Sequence, residues 1–168
     1  MNSATLVASL IVAAVLVLLI GFVIQLMMRG WRRRGQRQAA MIGALPAVPE
    51  RVGAAIVAPT RGTYVGCTLA PSWHDRVAVG DLGYRSKAVL TRYPEGILVQ
   101  RSAASPIWIP QESITAIRTE RGMLGKAVTH NGILAIRWRL PSGAEIDTGF
   151  RGENRASYDQ WLAEERRS

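Results

Sequence analysis

The chain has 168 residues, with 21 basic against 12 acidic side chains and a formal net charge of +9. Five of those charges come from Arg29, Arg32, Arg33, Arg34 and Arg37, while residues 50–168 carry 16 basic and 12 acidic side chains; so mild an excess does not indicate a nucleic-acid-binding module. The single cysteine, Cys67, excludes an internal disulfide, agrees with a reducing compartment and reads as a small buried apolar residue.

The first element is apolar. Residues 4–28 hold no charged side chain, and only Thr5, Ser9 and Gln25 among them are polar. A helix of this length reaches roughly 37 Å, beyond the roughly 30 Å hydrocarbon core, so it spans a bilayer with some tilt. A cleaved signal peptide would need a charged start, a shorter apolar core and a small-x-small site. Met27-Met28-Arg29-Gly30-Trp31 is a poor cleavage site, so the segment reads as an uncleaved anchor. All of the flanking arginines follow it, which by the positive-inside rule puts the N-terminus outside the plasma membrane and residues 29–168 in the cytoplasm. Arg29, Arg32, Arg33, Arg34 and Arg37 then attract the anionic inner leaflet, at about 1 kcal/mol per charge, and Trp31 falls at the depth of an aromatic anchor. Ala4, Ala8 and the Ala13-Ala14 pair leave room for helix packing, so a homo-oligomer or a subunit role stays open.

Three regions follow from this: an anchor over 1–30, a basic juxtamembrane segment and linker over 31–52, and a β domain over 53–168. Residues 38–52 are rich in Ala, Gly and Pro and read as flexible chain, with roughly 20 Å of reach. Beyond them, short apolar stretches punctuated by Gly and Pro predict strands over 54–58, 63–69, 87–92, 97–101, 107–109, 114–120, 133–140 and 145–150. Tyr93-Pro94-Glu95-Gly96-Ile97 and Leu140-Pro141-Ser142-Gly143-Ala144 share one hairpin grammar, in which Pro presets the first turn residue and Gly accepts the left-handed last one. If Leu140 pairs with Ala144, Arg139 faces Glu145 and Arg137 faces Asp147 on one side, while Trp138 meets Ile146 and Leu134 meets Phe150 on the other. Those arginines are therefore read as cross-strand ion partners. The chain ends in a helix over 155–166, with Asn154 as N-cap and Tyr158, Trp161 and Leu162 as one apolar stripe.

About seven short antiparallel strands and one C-terminal helix resemble a pleckstrin-homology-like (PH-like) barrel closed by that helix. The stretch from Gly96-Ile97-Leu98-Val99-Gln100-Arg101 into Ile107-Trp108-Ile109-Pro110-Gln111-Glu112-Ser113-Ile114 resembles the bacterial members, in which a strand leads to an Ile-Pro-x-x-x-Ile step. The whole chain is similar to small single-pass actinobacterial membrane proteins that carry such a domain. The resemblance implies a scaffolding or assembly module. Phosphoinositide-binding relatives use a basic cluster in the first strand pair; the corresponding region here has Arg61, with Arg85 and Lys87 later.

No constellation for catalysis or metal binding emerges. Gly122-Met123-Leu124-Gly125-Lys126 lacks the spacing and the Ser/Thr of a phosphate loop, and residues 121–132 read as an exposed inter-strand loop. Ser72, His74 and Asp75 are sequence neighbours without a nucleophile elbow, and His74, His130 and Cys67 make no metal-ligand set. The sequence therefore predicts a non-enzyme without cofactor or metal: a membrane-anchored interaction module that binds a protein partner in a membrane or envelope complex. The alternative is a sensor of lipid head groups or small ligands. The candidate partner or ligand surface comprises Arg61, Trp73, Arg85, Lys87, Arg92 and Trp108, although Trp108 also reads as filling the core or its edge.

Overall fold

The structure, a computed structural model, describes residues 2–123, 126–127 and 132–167. It comprises two compact units, Met1–Arg37 and Gln38–Ser168.

Helix α1 runs from Ser3 to Ile42. Its apolar part is long and apolar enough to cross a membrane, and the side chains from Leu6 to Met28 are exposed. Ser9 Oγ donates to the Thr5 carbonyl at 2.8 Å, which hides the hydroxyl within the helix itself. The helix extends past the arginine cluster because Gln36 to Ile42 contains no Pro or Gly. It stops at Gly43, whose φ of +63° forms a left-handed cap, with its N–H on the Ala39 carbonyl at 2.9 Å.

Gln38 to Ile42 belong to the second unit, where a flexible linker was expected. Ile42 is buried in the core, and Leu45 packs against it. The Gln38 amide donates to the Arg76 carbonyl and accepts from the Ala78 N–H, at 3.0 and 3.1 Å. Ser142 Oγ donates to the Met41 carbonyl at 2.6 Å, satisfying an orphan of the last helical turn. Two apolar side chains and an amide with two good partners outweigh the entropy that an Ala/Gly/Pro composition suggests.

Among the described residues the second unit holds nine strands: β1 (Val57–Leu69), β2 (Ser86–Tyr93), β3 (Gly96–Arg101), β4 (Ile107–Pro110), β5 (Ile114–Glu120), β6 (Gly122–Met123), β7 (Lys126–Ala127), β8 (Ile133–Arg139) and β9 (Glu145–Gly152). Seven of them form one antiparallel sheet in the order β4-β3-β2-β1-β9-β8-β5, and β6 and β7 pair separately. The strand expected over 63–69 is longer, β1, and takes in only Val57 and Ala58 of the strand expected over 54–58; residues 54–56 precede it. Its register on β2 shifts between Val57 and Thr60, around Pro59, which has no N–H to give. A second shift, on β9, falls between Tyr64 and Gly66. This one long strand pairs with β2 along one edge and with β9 along the other.

The sheet is not a closed barrel. β4 and β5 are neighbours in sequence, joined by the 3-10 turn Gln111–Ser113, yet they occupy opposite ends of the strand order. β4 has only four residues and ends in Pro110, so little ladder is left to extend. The loop expected over 121–132 includes the short β6–β7 ribbon; Leu124, Gly125 and residues 128–131, His130 among them, lie outside the described residues.

The chain ends in a 3-10 turn (Arg155–Ser157) and helix α2 (Tyr158–Glu165). Asn154 Oδ1 accepts the Ala156 N–H at 3.0 Å, the expected cap, although it opens a 3-10 turn first. Trp161 is fully buried, with its Nε1–H on Thr60 Oγ1 at 3.1 Å, so α2 closes the apolar interior against β1. Tyr158 Oη accepts the Gly152 N–H at 2.7 Å and donates to the Gly132 carbonyl at 3.1 Å.

The register predicted for β8 and β9 is present residue for residue: Leu134 opposite Phe150, Arg137 opposite Asp147, Trp138 opposite Ile146 and Arg139 opposite Glu145. At the turn, Leu140 N–H bonds to the Ala144 carbonyl at 2.8 Å, and Gly143 takes a φ of +91°. A polar chain runs through the core beside this hairpin. Trp138 Nε1–H donates to Thr148 Oγ1 at 2.9 Å; Thr148 meets Cys67 Sγ at 3.3 Å; Cys67 meets Tyr64 Oη at 3.0 Å; Tyr64 donates to the Leu82 carbonyl at 2.6 Å. One direction of donation, from Trp138 to Leu82, satisfies every member. Burial pushes the Cys67 thiol above its usual range, and the Tyr64 phenol as well, so both stay protonated.

Candidate interaction surface

The outer face of the sheet divides into two halves of different electrostatic character. On β5 and β8 two arginines are matched to one carboxylate of β9. Arg137 holds Asp147 through two bonds, at 2.9 and 2.8 Å, and Arg118 of β5 holds the same carboxylate at 3.2 and 2.9 Å. Arg118 also reaches Glu120. Burial alone would raise the Asp147 carboxyl, but the bonds from Arg137 and Arg118 overcome this and hold it below the usual range. The Arg137–Asp147 pair expected from sequence is thus present, and Arg118 is a second clamp that alternation on β8 and β9 did not reveal. Glu145, opposite Arg139, accepts a hydrogen bond from Thr115 Oγ1 at 2.9 Å, and no Arg139–Glu145 ion pair forms.

On β2, β1 and β9 the cations lack such partners. Thr63 of β1 has Lys87 opposite it on β2 and Arg151 opposite it on β9. Register partners share a face, so the three form one row across three strands. Arg61 lies two residues along β1 on that face, and Arg85 lies two residues before Lys87, just ahead of β2. Arg61, Arg85, Lys87 and Arg151 are all exposed, alternating with buried Gly62, Tyr64, Ser86, Ala88 and Phe150. Among the described residues none of the four makes an ion pair. Arg151 was not among the residues singled out from sequence. Its parity on β9, opposite to that of Phe150, was the available signal.

Beside this face the β1–β2 connection presents two exposed aromatic rings, Trp73 (45% exposed) and Tyr84 (65%). The Trp73 ring lies against the His74 imidazole at a tilt of 39°, with centroids 3.7 Å apart. The His74 contact with Ser72 comes from the backbone N–H, at 3.4 Å, so Ser72, His74 and Asp75 form a turn rather than a proton relay. The connection is pinned from below. Arg101 is buried, donates to the Asp81 carbonyl, the Asp81 carboxylate and the Ser105 carbonyl at 2.7–2.8 Å, and lies 4.9 Å over the Tyr64 ring. Desolvation raises the Asp81 carboxyl, yet the Ser105 N–H and Arg101 more than offset it and leave it below the usual range.

Two of the expected surface residues belong elsewhere. Arg92 shares the inward parity of Ser86, Ala88 and Leu90 and is 1% exposed; it reaches Gln111 at 3.5 Å and Glu165 of α2 at 3.6 Å. It ties α2 to β2 and cannot present a charge to a ligand. Trp108 is 4% exposed and lies under a cleft of about 600 Å³ walled by Pro46, Ala47 and Pro49 on one side and by Pro94 and Pro110 on the other. Gly53 N–H donates to the Glu95 carboxylate at 3.0 Å and Ile56 N–H to the Arg92 carbonyl at 2.7 Å, which anchors that stretch at the β2–β3 turn. Trp108 is thus a covered residue and not an exposed anchor.

In the first unit, Arg29, Arg32, Arg33 and Arg37 are exposed on α1, and Trp31 is 74% exposed. At 3.6 residues per turn these four arginines fall within an arc of about 140°, with Trp31 on the other side of the helix. Arg34 lies in the same helical run.

Seven antiparallel strands, with β1 shared between the two halves of the sheet and a C-terminal helix seated on the core, agree with the comparison to known families. Residues 42–166 match the family described as bacterial PH domain-like. The chain belongs to that family. No curated protein matches it. The matched span begins at Ile42, the last residue of α1 and part of the PH-like domain's own core.

Proposed function

We propose that this PH-like protein is a non-catalytic interaction module anchored in the plasma membrane by α1, with its N-terminus outside and its domain in the cytoplasm, and that the domain binds a protein partner within a membrane complex. The order of an apolar helix, a basic juxtamembrane segment and a PH-like domain is that of the single-pass actinobacterial proteins it resembles. Arg29, Trp31, Arg32, Arg33, Arg34 and Arg37 serve the bilayer interface. The partner surface is Arg61, Arg85, Lys87 and Arg151 with Trp73 and Tyr84; Arg, Trp and Tyr are the side-chain types enriched at binding hot spots.

One observation carries this reading: four exposed cations on one sheet face without an ion pair among the described residues, in a domain that clamps Arg118 and Arg137 of the other half on Asp147. The test is in-cell cross-linking of the full chain, followed by mild detergent extraction and identification of what co-purifies. A stoichiometric membrane protein is the expected result. A clean preparation from several growth states would overturn the reading. A C-terminal fluorescent-protein fusion checks orientation: a fluorescent cell places the domain in the cytoplasm, and a dark cell with intact fusion places it outside. The same cationic face favours a second reading, head-group binding. Vesicle association by the domain that survives high salt would support it.

A further inference from the structure

We infer that the outer face of β2, β1 and β9 binds an extended acidic segment of a protein partner, laid along β1 between Arg85 and Lys87 on one side and Arg151 on the other. The inference rests on the partner-binding reading above and names what the partner offers.

Three observations converge. First, the face is a flat strand surface. Lys87 and Arg151 flank Thr63 in register, so their strands are roughly 10 Å apart, two interstrand spacings. An extended chain about 5 Å wide fits between them with alternate side chains pointing down. Second, its repeat matches. Arg85 and Lys87 lie two residues apart on one strand side, and carboxylates at every second position of an extended segment recur at the same interval of roughly 7 Å. Third, the charges are uncompensated. Like charges brought together on one sheet face destabilise it, and Glu153, whose N–H bonds to the Arg61 carbonyl at 3.0 Å, forms no ion pair with Arg61. An acidic ligand relieves that repulsion, while Trp73 and Tyr84 at the end of the face supply apolar area at low entropy cost.

The experiment uses the full chain in nanodiscs of zwitterionic phosphatidylcholine. The probe is a fluorescent peptide of alternating Glu and Ser, with a Lys/Ser peptide as its mirror. The acidic peptide is expected to bind with an affinity that falls steeply with salt, and the basic one not to bind. The triple variant Arg85→Glu, Lys87→Glu, Arg151→Glu should weaken binding by about tenfold or more, because each reversal replaces an attraction with a repulsion. Arg139→Glu, on β8 and away from the β1 row, and Arg29→Gln with Arg33→Gln, on α1, should leave it unchanged. Equal binding by the triple variant, or loss of binding only in the α1 variant, would overturn the inference. So would peptide-free protection of residues 61–65 and 85–89 from hydrogen exchange in phosphatidylglycerol nanodiscs that phosphatidylcholine does not give, since the face would then belong to the bilayer. If the triple variant loses the peptide but keeps its cross-linked cellular partner, the acidic-segment inference fails while the partner reading stands. If the wild type has no partner, the reading itself fails.

Discussion

Asp147 shows how one residue decides the character of a surface. It accepts four bonds from two arginines and leaves that half of the sheet electrically quiet. The consequence for pH has a definite sign. The Asp147 and Asp81 carboxyls lie below their ordinary range in the folded protein, whereas an unfolded Asp titrates near 3.9. The stability they contribute is complete above that value and is lost as pH falls through the folded values. Denaturation midpoints of the full chain should therefore drop below about pH 4, and Asp147→Asn or Asp81→Asn should flatten that acid limb. Asp147→Asn should also cost about 3 kcal/mol at neutral pH, because Arg118 and Arg137 are only partly exposed. At Gly43, φ is +63° and an added Cβ would meet Ser142 Cβ at 3.4 Å, so Gly43→Ala should cost about 1 kcal/mol through left-handed strain. Both effects are read by thermal melting in detergent.

At the scale of elements, α2 is the closure that the open sheet requires. Trp161→Ala should cost about 3–5 kcal/mol, and Thr60→Val about 1–3 kcal/mol by stranding the indole N–H. Chemical denaturation checks both. The β8–β9 hairpin was legible because turn chemistry and alternation on two faces all require one register. Arg92 was misplaced for a different reason. Its parity with Ala88 and Leu90 pointed inward, but its partner, Glu165, comes from the far end of the chain, and pairing across that distance leaves no local trace. Arg118 escaped notice because β5 shifts register on β8 between Ile114 and Ala116, which breaks the count from one strand to the next. The cationic face was half legible: Arg61, Arg85 and Lys87 were visible as charges, while Arg151 joins them only once β9 is known to lie beside β1.

For the molecule as a whole, the open strand order replaces the expected barrel, and the domain begins fifteen residues earlier than composition suggested, at Gln38 rather than 53. The signals were present in sequence as a helix stop, Gly43 followed by Pro46, but nothing local reveals that Ile42 has a core to enter. A chain starting at residue 38 should melt cooperatively, while one starting at 53 should melt at lower temperature or fail to fold, since it lacks Ile42 and Leu45. Ile42→Ala in the full chain should cost about 2–4 kcal/mol.

The hydrogen-bonded run from Trp138 to Leu82 makes the protein its own gauge. Cys67 is its lone sulfur nucleophile, fully buried and held as a thiol by its surroundings. A maleimide added to intact cells or vesicles can therefore modify Cys67 only during an opening that uncovers the core around it. The labelling half-time then reports how readily the domain opens in the cell. Adding a partner, or an acidic peptide, should lengthen that half-time in proportion to how much binding favours the closed form.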